Sequence, residues 1–160
     1  AARLKKARKA IGQTRFGLTT KSAALDRELV ASLERGERLP RLDTVEKVAY
    51  ALDLSPAFLA YGIEGECPAL LDLRAGGVGA RLRAVRSARG LSVLALATAA
   101  GVSHTAVGNI ERGTMPNIAT AEALAHALGC SPAWLAYAVG PELLPSRRAA
   151  RRTSADHAAE

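Results

Sequence analysis

Apolar side chains recur at the three- and four-residue spacing of an amphipathic helix in two separate parts of the chain. The two stripes are formed by Leu25, Leu29, Val30 and Leu33 and by Val102, Ala106, Val107 and Ile110. No stretch shows sustained alternation of apolar and polar residues, which is the pattern typical of a half-buried strand. We therefore expect an all-α protein.

Residues that favour helix ends accompany these stripes. The candidate N-terminal caps are Thr14 and Ser92 for a second helix, Asp26 and Ser103 for a third, Asp43 in a capping box with Glu46 for a fourth, and Ser55 and Ser131, each followed by Pro, for a fifth. Gly36 and Gly113 follow the third helix, where a left-handed C-terminal cap favours glycine. These signals predict five short helices, and the same five a second time.

The sequence contains one segment twice. Residues 51–61 read ALDLSPAFLAY and residues 127–137 read ALGCSPAWLAY, and an upstream Glu-Arg-Gly recurs at 34–36 and 111–113. We call residues 3–61 the first repeat and residues 81–137 the second repeat. The offset between them falls from 78 to 77 to 76 residues, which places two single-residue insertions in loops of the first repeat.

The repeat suggests a division of the chain into two domains. We expect one domain at 1–62, a linker at 63–77, a second domain at 78–140 and a basic, mostly disordered tail at 141–160. The linker contains Pro68 and the apolar fragment 69–73, which could form a short helix between the domains.

Composition and charge limit the classes of function that the chain can have. Hydrophobic residues make up 49% of the 160 residues, which is enough for a packed core. Aromatic residues make up only 4%, which argues against a surface that stacks bases. The net charge of +7 suits a partner with many phosphates.

Several other classes of protein lack support in the sequence. No apolar run is long enough to predict a membrane helix, and no signal peptide is visible, so the expected location is the cytoplasm, associated with a bacterial nucleoid. The two cysteines, Cys67 and Cys130, cannot form a zinc site by themselves. No catalytic constellation, cofactor motif, metal site or domain for a small-molecule effector is recognisable, so we expect no enzyme and no cofactor.

The second repeat resembles the helix-turn-helix domain of the lambda-repressor and Cro family, also called the xenobiotic-response-element type. The matching string is RLRAVRSARGLSVLALATAAGVSHTAVGNIERGTMPNIATAEALAHALGCS, which begins at Arg81. The first repeat looks like a more divergent member, best seen in LDRELVASLERGERLPRLDTVEKVAYALDLSP. The resemblance implies two tandem five-helix domains that bind double-stranded DNA.

A helix-turn-helix places its second helix, the recognition helix, in the major groove, where N-terminal side chains reach base edges. The resemblance assigns base reading to the outward-facing residues His104, Thr105 and Asn109 in the second repeat, and Arg27, Glu28 and Ser32 in the first. Asparagine can pair with adenine, threonine can pack against a thymine methyl group, and arginine can read guanine.

Phosphate contacts are expected from helix N-termini and neighbouring loops. The candidates are Thr14, Arg15, Arg38 and Arg41 in the first repeat and Ser92, Ser103, Thr114 and Asn117 in the second. The family usually has Gln directly after the residue that opens the second helix. Here Arg15 and Val93 occupy that position, so the backbone contact of the second repeat is expected to be weaker.

Two pairs of charged residues also recur, Arg8 with Glu34 and Arg86 with Glu111. In the family this arginine and glutamate form an ion pair that joins the first helix to the third. The resemblance therefore gives these four residues a structural role.

The expected function is sequence-specific regulation of transcription, most simply repression, by a chain that reads two unlike half-sites. An alternative is an antitoxin-like or antiactivator-like regulator, in which the first repeat binds a protein and only the second binds DNA. Charge keeps this alternative open, because residues 1–72 hold twelve basic and ten acidic side chains whereas residues 73–140 hold six and two. A homodimer and a non-specific architectural DNA protein are also open.

Overall fold

The structure, a computed structural model, describes residues 1–22, 25–64 and 77–142. Within those ranges the chain forms ten α-helices and no strand, as the apolar pattern predicts. The helices are α1 (Ala2–Ala10), α2 (Arg15–Lys21), α3 (Arg27–Arg35), α4 (Leu42–Ala51), α5 (Pro56–Tyr61), α6 (Val78–Ala88), α7 (Val93–Ala100), α8 (His104–Glu111), α9 (Ile118–Ala127) and α10 (Pro132–Tyr137). The expected linker helix at 69–73, Cys67 and the tail beyond 142 lie outside the described residues.

Most of the predicted helix caps are confirmed. The side chains of Thr14, Asp26, Ser92, Ser103 and Ser131 each accept a hydrogen bond from a backbone N–H in the first turn of the helix that follows. Ser55 is one of two exceptions, since its hydroxyl makes no such bond at the start of α5. Each of the five caps satisfies one of the N–H groups that a helix start leaves without a partner, so the sequence itself sets these boundaries.

The capping box predicted at Asp43 and Glu46 is wrong. Helix α4 begins at Leu42, with Arg41 at the N-cap, and Asp43 lies inside the first turn. The Leu42 N–H donates instead to the carbonyl oxygen of Pro116, at 3.0 Å. A hydrogen bond from a distant part of the chain therefore sets this helix start, and local sequence could not show it.

The buried side chains of the described helices form one leucine-rich core to which both sets of five helices contribute. In the first set the largest fully buried side chains are Leu18, Leu42, Leu52, Val30 and Val48, and in the second they are Leu82, Leu96, Leu124, Leu128, Leu135, Val107 and Tyr137. Cys130 is also buried, and burial raises the pKa of its thiol. Taken singly, none of the described helices is long and apolar enough to cross a membrane; only α7 and α8 counted together, across a sharp bend, would qualify by length and composition.

The two sets meet through contacts that occur in matching pairs. The Leu42 N–H donates to Pro116 and the Ile118 N–H donates to Pro40, at 3.0 and 3.1 Å. The Tyr61 hydroxyl donates to the carbonyl oxygen of Ile118, and the Tyr137 hydroxyl donates to that of Leu42, each at 3.3 Å. The equivalent residues in these matching contacts, Leu42 and Ile118, Pro40 and Pro116, and Tyr61 and Tyr137, are each 76 residues apart, as in the sequence repeat. Such reciprocity is the signature of an approximate two-fold axis.

The axis passes close to the loops that follow α3 and α8. Arg41 and Asn117 form an isolated antiparallel bridge there. On the same interface α5 packs against α10, and the rings of Tyr61 and Tyr137 lie with centroids 6.4 Å apart. The C-terminal ends of α3 and α8 therefore lie on opposite sides of the axis, each one loop away from it.

Gly79 brings α6 into close contact with the end of α8, and replacing it tests that contact. A Cβ atom at Gly79 would overlap the carbonyl oxygen of Ile110, so the backbone would have to shift. We expect Gly79→Ala to lower the free energy of unfolding by about 1–3 kcal/mol in urea titrations.

Gly108→Ala is the matched control. It also adds one methyl group to a helix, but there the nearest atom is a guanidinium nitrogen of Arg112 at 3.4 Å. This variant should gain up to about 1 kcal/mol from helix propensity. Equal stability changes for the two variants would contradict the close approach of α6 to α8.

Candidate nucleic-acid interface

Helices α7 and α8 form two arms of a sharp bend. The chain turns by 116° between them, across the three residues Gly101, Val102 and Ser103. Gly101 has a φ of 67° and ends α7 in the left-handed conformation, which glycine adopts without strain. Two helices at this angle with a short glycine-containing turn have the geometry of a helix-turn-helix.

The outward face of α8 carries the three residues expected to read bases in the second repeat. His104 and Thr105 are exposed and Asn109 is half-buried, whereas Val107 and Ile110 point into the core. The Ser103 hydroxyl caps the helix by accepting from the Ala106 N–H at 3.1 Å. The structure thus brings His104, Thr105 and Asn109 to one accessible surface.

The same surface contains Arg112, which the sequence analysis overlooked. This exposed residue follows the last turn of α8, and its Nη2 donates to Oδ1 of Asn109 at 2.5 Å. The spacing of three residues from Asn109 puts both side chains on one helix face, and that signal was present in the sequence. In the sequence this signal is masked because Arg112 is also part of the recurring Glu-Arg-Gly.

The corresponding face of α3 in the first repeat differs. Arg27 and Glu28 are exposed, but Ser32 is only 6% exposed and its hydroxyl donates to the carbonyl oxygen of Leu29 at 2.9 Å. In this structure the Ser32 hydroxyl is therefore directed into its own helix and is not part of the exposed face. Base reading by Ser32 stays a prediction.

Arg15 does not stand free at the start of α2. Its Nε donates to Oε2 of Glu34 at 2.8 Å, so its charge is shared with a buried carboxylate. The phosphate contact expected of Arg15 stays a prediction, for a guanidinium that is 39% exposed and already bonded to Glu34. In the second repeat Val93 occupies this position and packs against the core.

The remaining candidates for phosphate contact divide into two groups. Thr14, Ser92, Ser103, Thr114 and Arg38 are exposed, three at helix starts and two in the loops after α3 and α8. Arg41 and Asn117 lie in the bridge near the two-fold axis instead. There the Asn117 side chain caps α9 by accepting from the Thr120 N–H at 2.8 Å. Asn117 thus has a local structural role that the sequence analysis did not assign.

The structure contains both ion pairs between the first and third helices. Nε of Arg8 lies 2.6 Å from Oε1 of Glu34, and Nε of Arg86 lies 2.5 Å from Oε1 of Glu111. Each arginine also donates to a backbone carbonyl in the next loop, that of Gln13 or Leu91.

These contacts hold both carboxylates in the charged form. The hydrogen bond from Arg86 lowers the pKa of Glu111 despite partial burial. Burial opposes the charge of Glu34, but hydrogen bonds from Arg8 and Arg15 outweigh it, so the pKa of Glu34 also lies below its usual range. Each pair therefore joins the third helix of its set to the first helix, α3 to α1 and α8 to α6.

Comparison with known proteins finds a match within the second set of helices. Residues 82–135 match the helix-turn-helix family model, of the Cro type. The members of this family are DNA-binding transcription regulators rather than enzymes. The first repeat lies outside the matched residues. No curated protein and no solved structure matches the chain.

Proposed function

We propose that this chain is a sequence-specific regulator of transcription, acting as a repressor, whose domain at 78–140 binds double-stranded DNA by placing α8 in the major groove. The observation that carries the proposal is the exposed face of α8, which presents His104, Thr105 and Asn109 within a segment that matches the helix-turn-helix family. Polar side chains on an exposed recognition helix can form hydrogen bonds with base edges.

The surroundings of α8 suit the phosphates that flank a major groove. Ser92 and Ser103 open α7 and α8 at exposed helix starts, where backbone N–H groups attract anions. Arg112 adds exposed positive charge after the last turn of α8, and Arg83 lies nearby, with Nε 3.5 Å from Oε2 of Glu111. Residues 73–140 hold six basic and only two acidic side chains, so this part of the chain favours a polyanion.

The two-fold relation between the helix sets supports reading of two half-sites by one chain. The loops after α3 and α8 meet at the bridge between Arg41 and Asn117, which holds the two helices in a fixed relation to each other. In related dimeric proteins such symmetry matches the symmetry of the operator. Because Arg27 and Glu28 differ from His104 and Thr105, the half-sites read by the domains at 1–62 and 78–140 should be unlike each other.

The structure also contains an observation that favours the alternative, in which the first repeat binds a protein. Arg35 at the end of α3 is paired with Glu28 and Glu37, at 2.8 and 2.5 Å. This surface is therefore close to neutral, and Ser32 beside it is buried. A neutral surface gains little from phosphates and is better suited to a protein partner such as a toxin or an activator.

Selection of duplexes from a random DNA pool, followed by binding assays near physiological salt, tests the proposal. Two unlike motifs at fixed spacing support reading by both repeats. Enrichment of a single motif would assign DNA binding to the second repeat and favour a protein partner for the first. No enrichment, with binding that disappears as salt is added, would indicate non-specific binding and overturn the proposal.

Paired variants assign the motifs to the repeats. On the selected duplex, Asn109→Ala should weaken binding about 5- to 150-fold, since a good base contact is worth about 1–3 kcal/mol. Arg27→Glu should weaken binding comparably only if α3 also reads bases. Fluorescence anisotropy gives the affinities, and circular dichroism checks that both variants fold. An unchanged affinity of Asn109→Ala would contradict base reading by α8.

A further inference from the structure

Arg112 of the second repeat and Arg35 of the first occupy equivalent positions, 77 residues apart, in different surroundings. Arg35 is paired with the carboxylates of Glu28 and Glu37. The positions equivalent to these two glutamates are Thr105 and Thr114 in the second repeat. Across residues 1–22, 25–64 and 77–142, no carboxylate lies within ion-pair distance of Arg112. The charge neutralised at Arg35 is therefore retained at Arg112.

Arg112 is instead held over the recognition helix. One of its nitrogens, Nη2, donates to Oδ1 of Asn109 at 2.5 Å. The guanidinium lies beside Gly108, where a Cβ atom would be in ordinary van der Waals contact with Nη1 of Arg112, at 3.4 Å. The equivalent residue in the first repeat is Ala31, which is buried. A guanidinium group in this position reaches across one turn of α8 to the amide of Asn109.

The hydrogen bond determines which groups Asn109 can offer to DNA. A guanidinium group has only donors, so the amide must turn its oxygen towards Arg112 and its NH2 group away from it. The groups that the pair then offers are mainly donors, the asparagine NH2 and the remaining arginine N–H groups, while Oδ1 has one lone pair engaged by Arg112 and is turned towards it. Adenine needs a donor and an acceptor from the protein, because its major-groove edge has N7 and an NH2 group. Guanine offers two acceptors, N7 and O6.

We propose that Asn109 and Arg112 act as one unit that reads guanine in the major groove, with Arg112 fixing the orientation of the Asn109 amide. This inference rests on the proposed function and replaces the adenine preference expected for an isolated asparagine. Arg112 is thus a specificity-determining residue, and Arg35 has no comparable role because its guanidinium is paired with two glutamates.

The test compares wild type with Arg112→Ala on the selected duplex and on duplexes that carry each of the four bases at every position of the motif read by α8. Wild type should prefer guanine at one position by about 10- to 100-fold. Arg112→Ala frees Oδ1 of Asn109, so the preference at that position should change from guanine to adenine. Arg35→Ala is the matched control and should leave that preference unchanged.

A second measurement uses 7-deazaguanine at the same position, because this base lacks the N7 acceptor. It should weaken binding of wild type and have little effect on Arg112→Ala. If Arg112 contacts only a phosphate, its removal would weaken binding to all four bases equally and reduce the dependence on salt, which would overturn the inference but not the proposed function. If wild type itself selects no motif, both are overturned.

Discussion

Replacing Glu111 with alanine is expected to lower the free energy of unfolding by about 3 kcal/mol, because it leaves a charged arginine without its partner in a site that is largely buried. The side chains of Arg86 and Glu111 are 15% and 6% exposed. Arg86 donates to both carboxylate oxygens, at 2.5 and 3.0 Å, and ties α6 to α8. Urea titration of the full chain, monitored by circular dichroism, measures the loss.

The double variant Arg86→Met with Glu111→Leu separates the cost of an unpaired charge from the contribution of the pair. Replacement of both partners by apolar residues of similar size removes the buried charge, so this variant should be much more stable than Glu111→Ala. Glu122→Ala serves as a surface control, because that side chain is 53% exposed. Equal losses for Glu111→Ala and Glu122→Ala would contradict the structural role of the pair.

The same ion pairs predict how stability depends on pH. Glu34 and Glu111 have lowered pKa values in the folded chain, so in the unfolded chain they bind protons at a higher pH, near the ordinary value of about 4.3. Their contribution is therefore complete above that value and is lost as the pH falls through the folded-state pKa. A Glu111→Gln variant should lose less stability than wild type on acidification from neutral pH. If the stability of wild type and of Glu111→Gln fell in parallel on acidification, the lowered pKa of Glu111 would be contradicted.

The sequence predicts those parts of the fold that depend on local chemistry. Five caps and the buried stripe of α8 follow from side chains within a few residues, and a local hydrogen bond is the same in any tertiary context. The start of α4 could not be predicted, because the Leu42 N–H finds its partner at Pro116. The symmetric interface could not be predicted either, since each of its hydrogen bonds joins residues that are distant in sequence.

The candidate site shows a similar division. The outward positions of α8 follow from helical periodicity, so His104, Thr105 and Asn109 could be named in advance. Ser32 was assigned by equivalence with Asn109, yet its hydroxyl is directed into its own helix and bonds to Leu29. The contrast between Arg35 and Arg112 depends on which side chains surround each arginine, and a repeat alone does not supply that information.

Replacing Tyr137 with alanine is expected to give the second large effect, because it empties the centre of the interface between the two helix sets. Tyr137 is fully buried, whereas its equivalent Tyr61 is half-buried. Loss of a buried aromatic ring typically costs about 3–5 kcal/mol. Tyr137→Phe keeps the ring and loses only the hydrogen bond to Leu42, so it should cost about 1 kcal/mol. Urea titrations of the two variants give both values.

The interface also makes a prediction for DNA, since it fixes the distance between α3 and α8. If both helices read half-sites, wild type should bind duplexes with one spacing between the motifs much better than duplexes lengthened or shortened by two base pairs. Tyr137→Ala should weaken that preference more than Tyr137→Phe does, because the missing ring loosens the connection while both recognition helices keep their own ion pairs. Competition assays with duplexes of different spacing measure the preference. Tyr137→Ala could show the expected loss of stability and still keep the spacing preference. That result would show that the loops bridged at Arg41 and Asn117 hold the two helices in place without the tyrosine.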